Sequence, residues 1–518
     1  MGGRATGRVC ITVIGGVFLL GTACFSEPSV SSGDEATSEP TGTTGGESSG
    51  ATSTAEVSTG AADSTGATAS AQLRAVHAAA DVGAVDIYIA GDTTPVFEGI
   101  AYADATEWID VPVGLSTFEF RPAGAPAESP AVHTASVSLD EGERVTAIAS
   151  GVIDPASPVR MLALREDWGA PLAGRARARL VHAGPDAPTF GIDGVDVDAP
   201  LERFEATAAE GFGLDTAGGQ RVVLLEDVQV DAETVTSFTT PPVGEGDEVL
   251  LIAAGELGSL AREPDGFSII AVGRDGALGV IRQDPQLFVL HGSRDAGGLE
   301  LCSGDAELAA NFAYGEIQST RVSPATYDVS IHNYPSGCGD PVFNTNSTGA
   351  LEAGERYLLL VTGEISPEDD GEAGIQVATF DDAFTLDDGD GARVRFVHGA
   401  SYSQIYVGAV VDDTIVAENV LTDPIGWSVE SGEVAVPTGE YVLGIADAVG
   451  KPLPLYTPIV TVPYTAVGEA RQWAIVAGDP TPEVSDGGFG GGFLQVLAVD
   501  TTTPRWDVAI VDVVLPTQ

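Results

Sequence analysis

The residues with most chemical potential in this chain are its histidines, six in 518 residues. Four of them close near-identical stretches: Arg74-Ala75-Val76-His77-Ala78, Arg179-Leu180-Val181-His182-Ala183, Phe288-Val289-Leu290-His291-Gly292 and Arg395-Phe396-Val397-His398-Gly399. An imidazole in such a place can ligate a metal or serve as a general base. Asp81, Asp186 and Asp295 each follow the histidine by four residues, the spacing of a ligand pair, but the fourth copy has Tyr402 there. In a strand, His182 shares a face with Leu180 and His398 with Phe396, while Arg179 and Arg395 point the other way. The imidazoles then lie on the core side. A buried ring needs a hydrogen-bond partner, and the following turn can supply one. His77, His182, His291 and His398 are expected to be structural, with no metal and no cofactor.

The other candidates are weaker. Cys302 and Cys338 are expected to form a disulfide, because two cysteines of one repeat in an exported chain meet an oxidising compartment. Asp387-Asp388-Gly389-Asp390-Gly391 resembles a calcium loop only faintly, lacking the glutamate at the twelfth position, and reads as a solvated linker. Asp215-Thr216-Ala217 is too short to indicate an aspartic protease, and Gly487-Gly488-Phe489-Gly490-Gly491-Gly492 is expected to be a hairpin tip rather than a phosphate cradle. No zinc-protease, phosphate-loop or nucleophile-elbow pattern occurs. No catalytic residue is nominated, and the chain is read as a non-enzyme.

The charge narrows the partners. There are 76 acidic residues against 23 basic ones, a net charge of −53, and the only lysine is Lys451. Nucleic acids and anionic headgroups need clustered cations and are excluded as partners. Weakly held calcium, and a glycan or protein of the cell envelope, remain open.

The elements that must position these residues repeat with them. The histidines are 105, 109 and 107 residues apart, a period long enough for each unit to hold its own core. Val85-Asp86-Ile87-Tyr88-Ile89 alternates as a half-buried strand, whereas Glu248-Val249-Leu250-Leu251-Ile252-Ala253-Ala254 is uniformly apolar and suits a central one. An acidic glycine turn precedes each such central strand, as in Glu141-Gly142-Glu143 and Gly354-Glu355. About seven short strands per repeat with frequent turns indicate an immunoglobulin-like size. The fold class expected is all-β: a tandem array of four antiparallel β-sandwich domains, over residues 72–170, 177–286, 287–391 and 392–518.

Ahead of them, residues 1–24 read as a lipoprotein-type signal peptide, with Arg4 and Arg8 before an apolar run and Gly21-Thr22-Ala23 before Cys24. Cys24 is the expected lipid attachment point. Residues 25–71, rich in Ser, Thr, Gly and Glu, have little to bury and are expected to form a disordered tether of about 35–40 Å reach.

Arg179-Leu180-Val181-His182-Ala183-Gly184-Pro185-Asp186-Ala187-Pro188 closely resembles the opening signature of the domain-of-unknown-function family 4397, and Leu351-Glu352-Ala353-Gly354-Glu355-Arg356-Tyr357 its later turn and strand. The resemblance covers roughly residues 72–500. It implies bacterial extracellular β-domains and brings no catalytic residues with it. The expected function is an exported lipoprotein, anchored to the outer membrane or cell surface, whose four similar domains form a structural or binding array. The alternative is an envelope polysaccharide hydrolase using a carboxylate pair.

Overall fold

The computed structural model describes residues 69–514, apart from 153–157, 196–199, 227–232, 340–342, 344, 366–373, 386–390, 401–403, 449–454, 479–493 and 512. The signal, Cys24, Lys451, Tyr402, residues 387–390 and residues 487–492 lie outside the described set, as does the tether up to residue 68.

Repeat 1 is built from β1 (Ser70–Ala78), β2 (Val85–Ile89), β3 (Phe97–Ile100), β4 (Ile109–Pro112), β5 (Gly114–Pro122), β6 (His133–Leu139), β7 (Arg144–Ser150) and β8 (Arg160–Arg165). One sheet has the order β4-β1-β7-β8 and the other β3-β2-β5-β6. The same plan recurs three times, and the only helical element among the described residues is the 3-10 turn Ala417–Asn419. The all-β array of four sandwiches is therefore the fold. In repeats 2 and 4 the β1-containing sheet gains a fifth strand, Gly276–Arg282 and Asp507–Val511.

Three details correct the expected boundaries and pairing. β1 starts at Ser70, inside the span read as tether, because Ser70 and Ala71 pair with Pro112 and Val111 of β4. Gln286, read as the end of repeat 2, opens the first strand of repeat 3, Gln286–His291. Between the strands of each sandwich, as far as they are described, pairing is antiparallel except at one place. The strand that ends in the histidine runs parallel to the apolar strand: β1 beside β7, Arg175–His182 beside Glu248–Ala254, Gln286–His291 beside Arg356–Thr362, and Ala392–His398 beside Arg471–Ala477. Alternation reports which face a side chain takes, not the direction of the neighbouring strand, so this pairing is invisible in the pattern.

The acidic glycine turns latch those parallel pairs. Gly142, Gly246 and Gly354 adopt φ of +76°, +81° and +88°, a region that glycine enters without penalty. Their N–H groups donate to the carbonyls of Ser70, Arg175 and Gln283, at the start of the histidine strand. In repeat 4 Glu469 takes the position, with φ +64°, and donates to the carbonyl of Gly391.

The apolar strands are buried on both faces, as parallel strands characteristically are. One face fills the sandwich: Val145, Ala147 and Ala149 with Leu73 and Ala75, for example. The opposite face builds a second core between repeats. Val76, Ala78 and Ile148 of repeat 1 pack with Val181, Leu250, Ile252 and Ile270 of repeat 2. Phe288, Leu290, Leu358 and Leu360 of repeat 3 pack with Val397, Trp473, Ile475, Leu497 and Trp506 of repeat 4. Hydrogen bonds repeat the relation: Ser150 Oγ donates to the carbonyl of Ala183, and Thr362 Oγ1 to that of Gly399. The four sandwiches thus stand as two back-to-back pairs, 1 with 2 and 3 with 4.

Arg179 and Arg395, expected to point away from the core, do leave it and enter these interfaces, as does Arg74 of repeat 1. Arg74 is 1% exposed. It pairs with Glu166 and donates to the carbonyl of Gly273 in repeat 2. Arg395 donates to the carbonyl of Ala383 and pairs with Asp381.

Candidate functional site

The four repeated histidines each sit at the end of the first strand of a repeat, all buried. The Nε2–H of His77 donates to the carbonyl of Gly83 at 3.2 Å, that of His182 to Pro188 at 3.1 Å, and that of His291 to Gly297 at 3.0 Å. The partner is six residues on in every case, so the ring ties the strand to the far end of the following turn. On the other nitrogen, Nδ1 of His77 accepts from Ala79 N–H and Nδ1 of His291 from Ser293 N–H, both at 3.3 Å. Both nitrogens of these two rings are committed to main chain, which fixes a neutral tautomer and leaves no lone pair for a metal. His182 instead stacks on Phe190, with ring centroids 4.3 Å apart, and its Nδ1 is buried without a partner. Burial lowers the pKa of His77, His182 and His291, to about 4 for His182. His398 is fully buried, its main-chain N–H donating to the carbonyl of Val429.

The aspartates four residues on are not co-ligands. Asp186 accepts from the N–H groups of Leu257 and Gly258 at 2.7 and 2.8 Å, and Asp295 from Ile365 N–H at 2.9 Å. Each secures the loop after the apolar strand. Asp215, at the end of the strand Phe212–Asp215, pairs with Arg175 at 2.9 Å. Among the described residues no group of three or more His, Cys, Asp or Glu side chains is arranged to hold a metal ion.

Cys302 and Cys338 are bonded, with Cα atoms 5.6 Å apart across a separation of 36 residues. The bridge ties the strand Leu299–Ser303 to the loop that follows Thr326–Asn333. Closing a loop of that length restrains the unfolded chain by about 4 kcal/mol in the chain-entropy model. Cys302→Ala with Cys338→Ala is expected to lower the stability of repeat 3 by about 2–4 kcal/mol. Urea unfolding of the double variant beside the oxidised parent checks this, and equal midpoints would refute it.

Where repeats 2, 3 and 4 meet, the fold leaves a cavity of about 510 Å³. Its walls come from strands far apart in the chain. Arg221 and Glu233 are contributed by repeat 2, Arg321, Glu355 and Arg356 by repeat 3, and Arg505 by repeat 4. A polar node anchors one side. Asp284 is fully buried and accepts from Ser237 Oγ at 2.6 Å, Thr239 Oγ1 at 2.7 Å and Arg221 Nε at 3.0 Å. Arg221 Nη2 then donates to the carbonyl of Arg321 at 2.7 Å, and Arg321 Nη1 to that of Asp284 at 2.8 Å. Opposite, Arg356 is paired with the buried Asp382 and donates to the carbonyls of Thr501 and Thr503, both at 2.9 Å. Burial lowers the pKa of Arg321 to about 10; Asp284 offsets part of that, while Arg356 and Arg221 add to it. Burial raises the pKa of Glu355, against the pull of Arg262. None of these residues was a candidate site in the sequence, where they are separated by up to 284 positions and only Glu355 and Arg356 fall in a repeated stretch.

The family model described as a domain of unknown function, DUF4397, matches residues 71–193 and 285–407. The match holds for those two stretches of the chain. Each DUF4397 segment contains one complete sandwich and runs on through the next histidine turn, so the two together hold all four histidines. A DUF4397 segment therefore also includes the strand that supplies Val181 or Val397 to the core shared with the next repeat. No curated protein matches the chain. Among solved structures, the Bacillus anthracis TIE protein aligns at 7% identity and a TM-score of 0.12. That alignment covers 76% of this chain and spans 64% of the length of that one. A likeness so weak carries no argument about either fold or function.

Proposed function

We propose that this is an exported, membrane-tethered bacterial lipoprotein whose four β-domains act by position and contact rather than by catalysis. The observation that carries the reading is the use of the repeated histidine. It is the feature that recurs in every repeat, and where its ring bonds are resolved they close a main-chain turn. What the period retains is a way of building the sandwich, not a reacting group. Pairing through buried cores suits the same role, since it stiffens the head, and bonds such as Arg221 to the carbonyl of Arg321 join the pairs. The basic, apolar and small-residue order ending at Cys24, and the polar segment after it, support anchorage at the envelope.

The hydrolase alternative needs two carboxylates facing one cleft. Glu355 and Glu233 both line the cavity between repeats, but each faces an arginine: Glu355 lies 3.8 Å from Arg262 and Glu233 lies 3.7 Å from Arg505. The two fully buried carboxylates nearby, Asp284 and Asp382, are sealed against Arg221 and Arg356.

Cell fractionation tests the anchor. The full chain is expected in the membrane fraction and the Cys24→Ala variant in the soluble fraction. A soluble parent, or a variant still bound to membrane, would contradict the proposal. Turnover of glycosidase, esterase, protease or phosphatase substrates by the purified chain, lost in a folded variant of Glu355 or Glu233, would favour the enzyme instead.

A further inference from the structure

We propose that the cavity between repeats 2, 3 and 4 binds a small, singly charged sugar acid, its carboxylate held by Arg321 and its hydroxyls by Ser319 and Thr234. The inference does not depend on how the chain is anchored. It starts from charge. In a chain with 76 acidic residues and 23 basic ones, four arginines line one cavity. Three of the four have a carboxylate opposite: Arg221 has Asp284 at 3.0 Å, Arg505 has Glu233 at 3.7 Å, and Arg356 has Asp382. Arg321 forms no ion pair of its own among the described residues: the Asp284 carboxylate, which favours its charge, is bonded to Arg221. It donates to two neutral acceptors, the carbonyl of Asp284 and Oε1 of Gln286 at 3.2 Å, which use two of its five N–H groups. The remaining donors belong to a planar fork that matches a carboxylate.

Size and lining narrow the ligand further. About 510 Å³ lies within the range of small-molecule sites, large for a lone ion and small for a polymer. Ser319 shares a strand face with Arg321 in Ile317–Arg321, and Thr234 lines the cavity from Glu233–Thr239. Hydroxyls suit a polyhydroxylated partner because each can donate and accept. Glu233 and Glu355 on the same walls oppose a second negative charge on the ligand. A sugar carboxylate meets all these terms, a neutral sugar leaves Arg321 unanswered, and a phosphate dianion meets the two glutamates.

Calorimetric titration of the full chain with glucuronate, glucose and inorganic phosphate tests this. Glucuronate is expected to saturate one site, and glucose to give no saturable heat. Arg321→Gln is expected to weaken glucuronate about tenfold to hundredfold. Should that variant lose its fold, Ser319→Asp decides alone. Its side chain is exposed on the cavity wall, and the new carboxylate would occupy Arg321 in place of the ligand, abolishing binding while leaving the melting temperature at or above that of the parent. No saturation by glucuronate, equal binding of glucose, or unchanged affinity in Ser319→Asp would overturn the proposal. Phosphate binding as tightly as glucuronate would overturn the sugar-acid assignment.

Discussion

Replacing Trp473 with alanine is expected to loosen two repeats at once. Trp473 is fully buried, yet it lies outside the sandwich core of its own repeat. Its ring faces Phe380 and Phe384, with centroids 5.8 and 5.5 Å away, and the Arg395 guanidinium lies 5.4 Å from its centre. It shares the interface with Trp506, which stacks on Phe288 of repeat 3 at 3.9 Å. A large aromatic removed from such a site leaves a void that the surrounding strands fill only in part, and the usual cost is about 3–5 kcal/mol. The interface belongs to both repeats, so the loss should be shared. Amide exchange should accelerate in Gln286–His291 and Arg356–Thr362 of repeat 3 as well as in Arg471–Ala477. A variant that loses protection in repeat 4 alone would show that the sandwiches are independent. The same reasoning makes a pair, rather than a single sandwich, the smallest stable piece of the chain.

Much of this was legible in the sequence, and the residues show where it stopped. The histidine period marked the repeats, and alternation about His182 and His398 put the imidazoles on the correct side. The cysteine pair was found from its setting. The second face was misjudged. Glu248–Ala254 read as a central strand because Val249, Leu250, Leu251 and Ile252 leave no polar side. Such a run says that both faces are covered without saying by what. In the event Leu250 and Ile252 meet repeat 1, while Val249 and Leu251 meet their own sandwich. Alternation put Arg179 and Arg395 on the face away from the core without saying what meets them there, and a guanidinium is ordinarily exposed. Arg74 departs from that rule because Glu166, Thr146 and a main-chain carbonyl satisfy it inside the interface.

The cavity was out of reach for a different reason. Its arginines stand in three repeats and at unlike positions within them, so no period and no local spacing joins them. One weak signal existed. Arginine is scarce in a chain this acidic, and although Arg356 opens an apolar strand as Arg144 and Arg471 do, Arg221, Arg321 and Arg505 belong to no repeated stretch. A site made by assembling repeats is written in what differs between them, whereas the fold is written in what they share.

Acid should destabilise the head through His77, His182 and His291, over a window set by their burial. Unfolded histidine titrates near 6.5, and folded His182 near 4. Burial is the main cause. The carbonyl of Pro188 favours the charged ring, but Arg203 opposes it, and a second proton would lie on Nδ1, where no acceptor waits. In His77 and His291 the second proton would oppose the N–H of Ala79 or Ser293. Between about pH 6.5 and pH 4 the unfolded chain therefore binds more protons than the folded one. Stability is complete above that window, falls as pH drops through it, and is fully lost from this source below about pH 4. For His182 alone the shift corresponds to about 3 kcal/mol. Raised pKa values at Glu256, Glu355 and Glu430, each chiefly from burial, act in the opposite sense as they take up protons. A variant separates the two effects. His182→Gln is expected to cost about 1–3 kcal/mol near neutral pH, through loss of the bond to Pro188. It cannot titrate, however, so its deficit relative to the parent should shrink as pH falls from about 7 to 4 and then vanish or reverse. Urea unfolding of both proteins across that range checks this, and a deficit that stays constant would show that His182 already carries its proton in the folded chain.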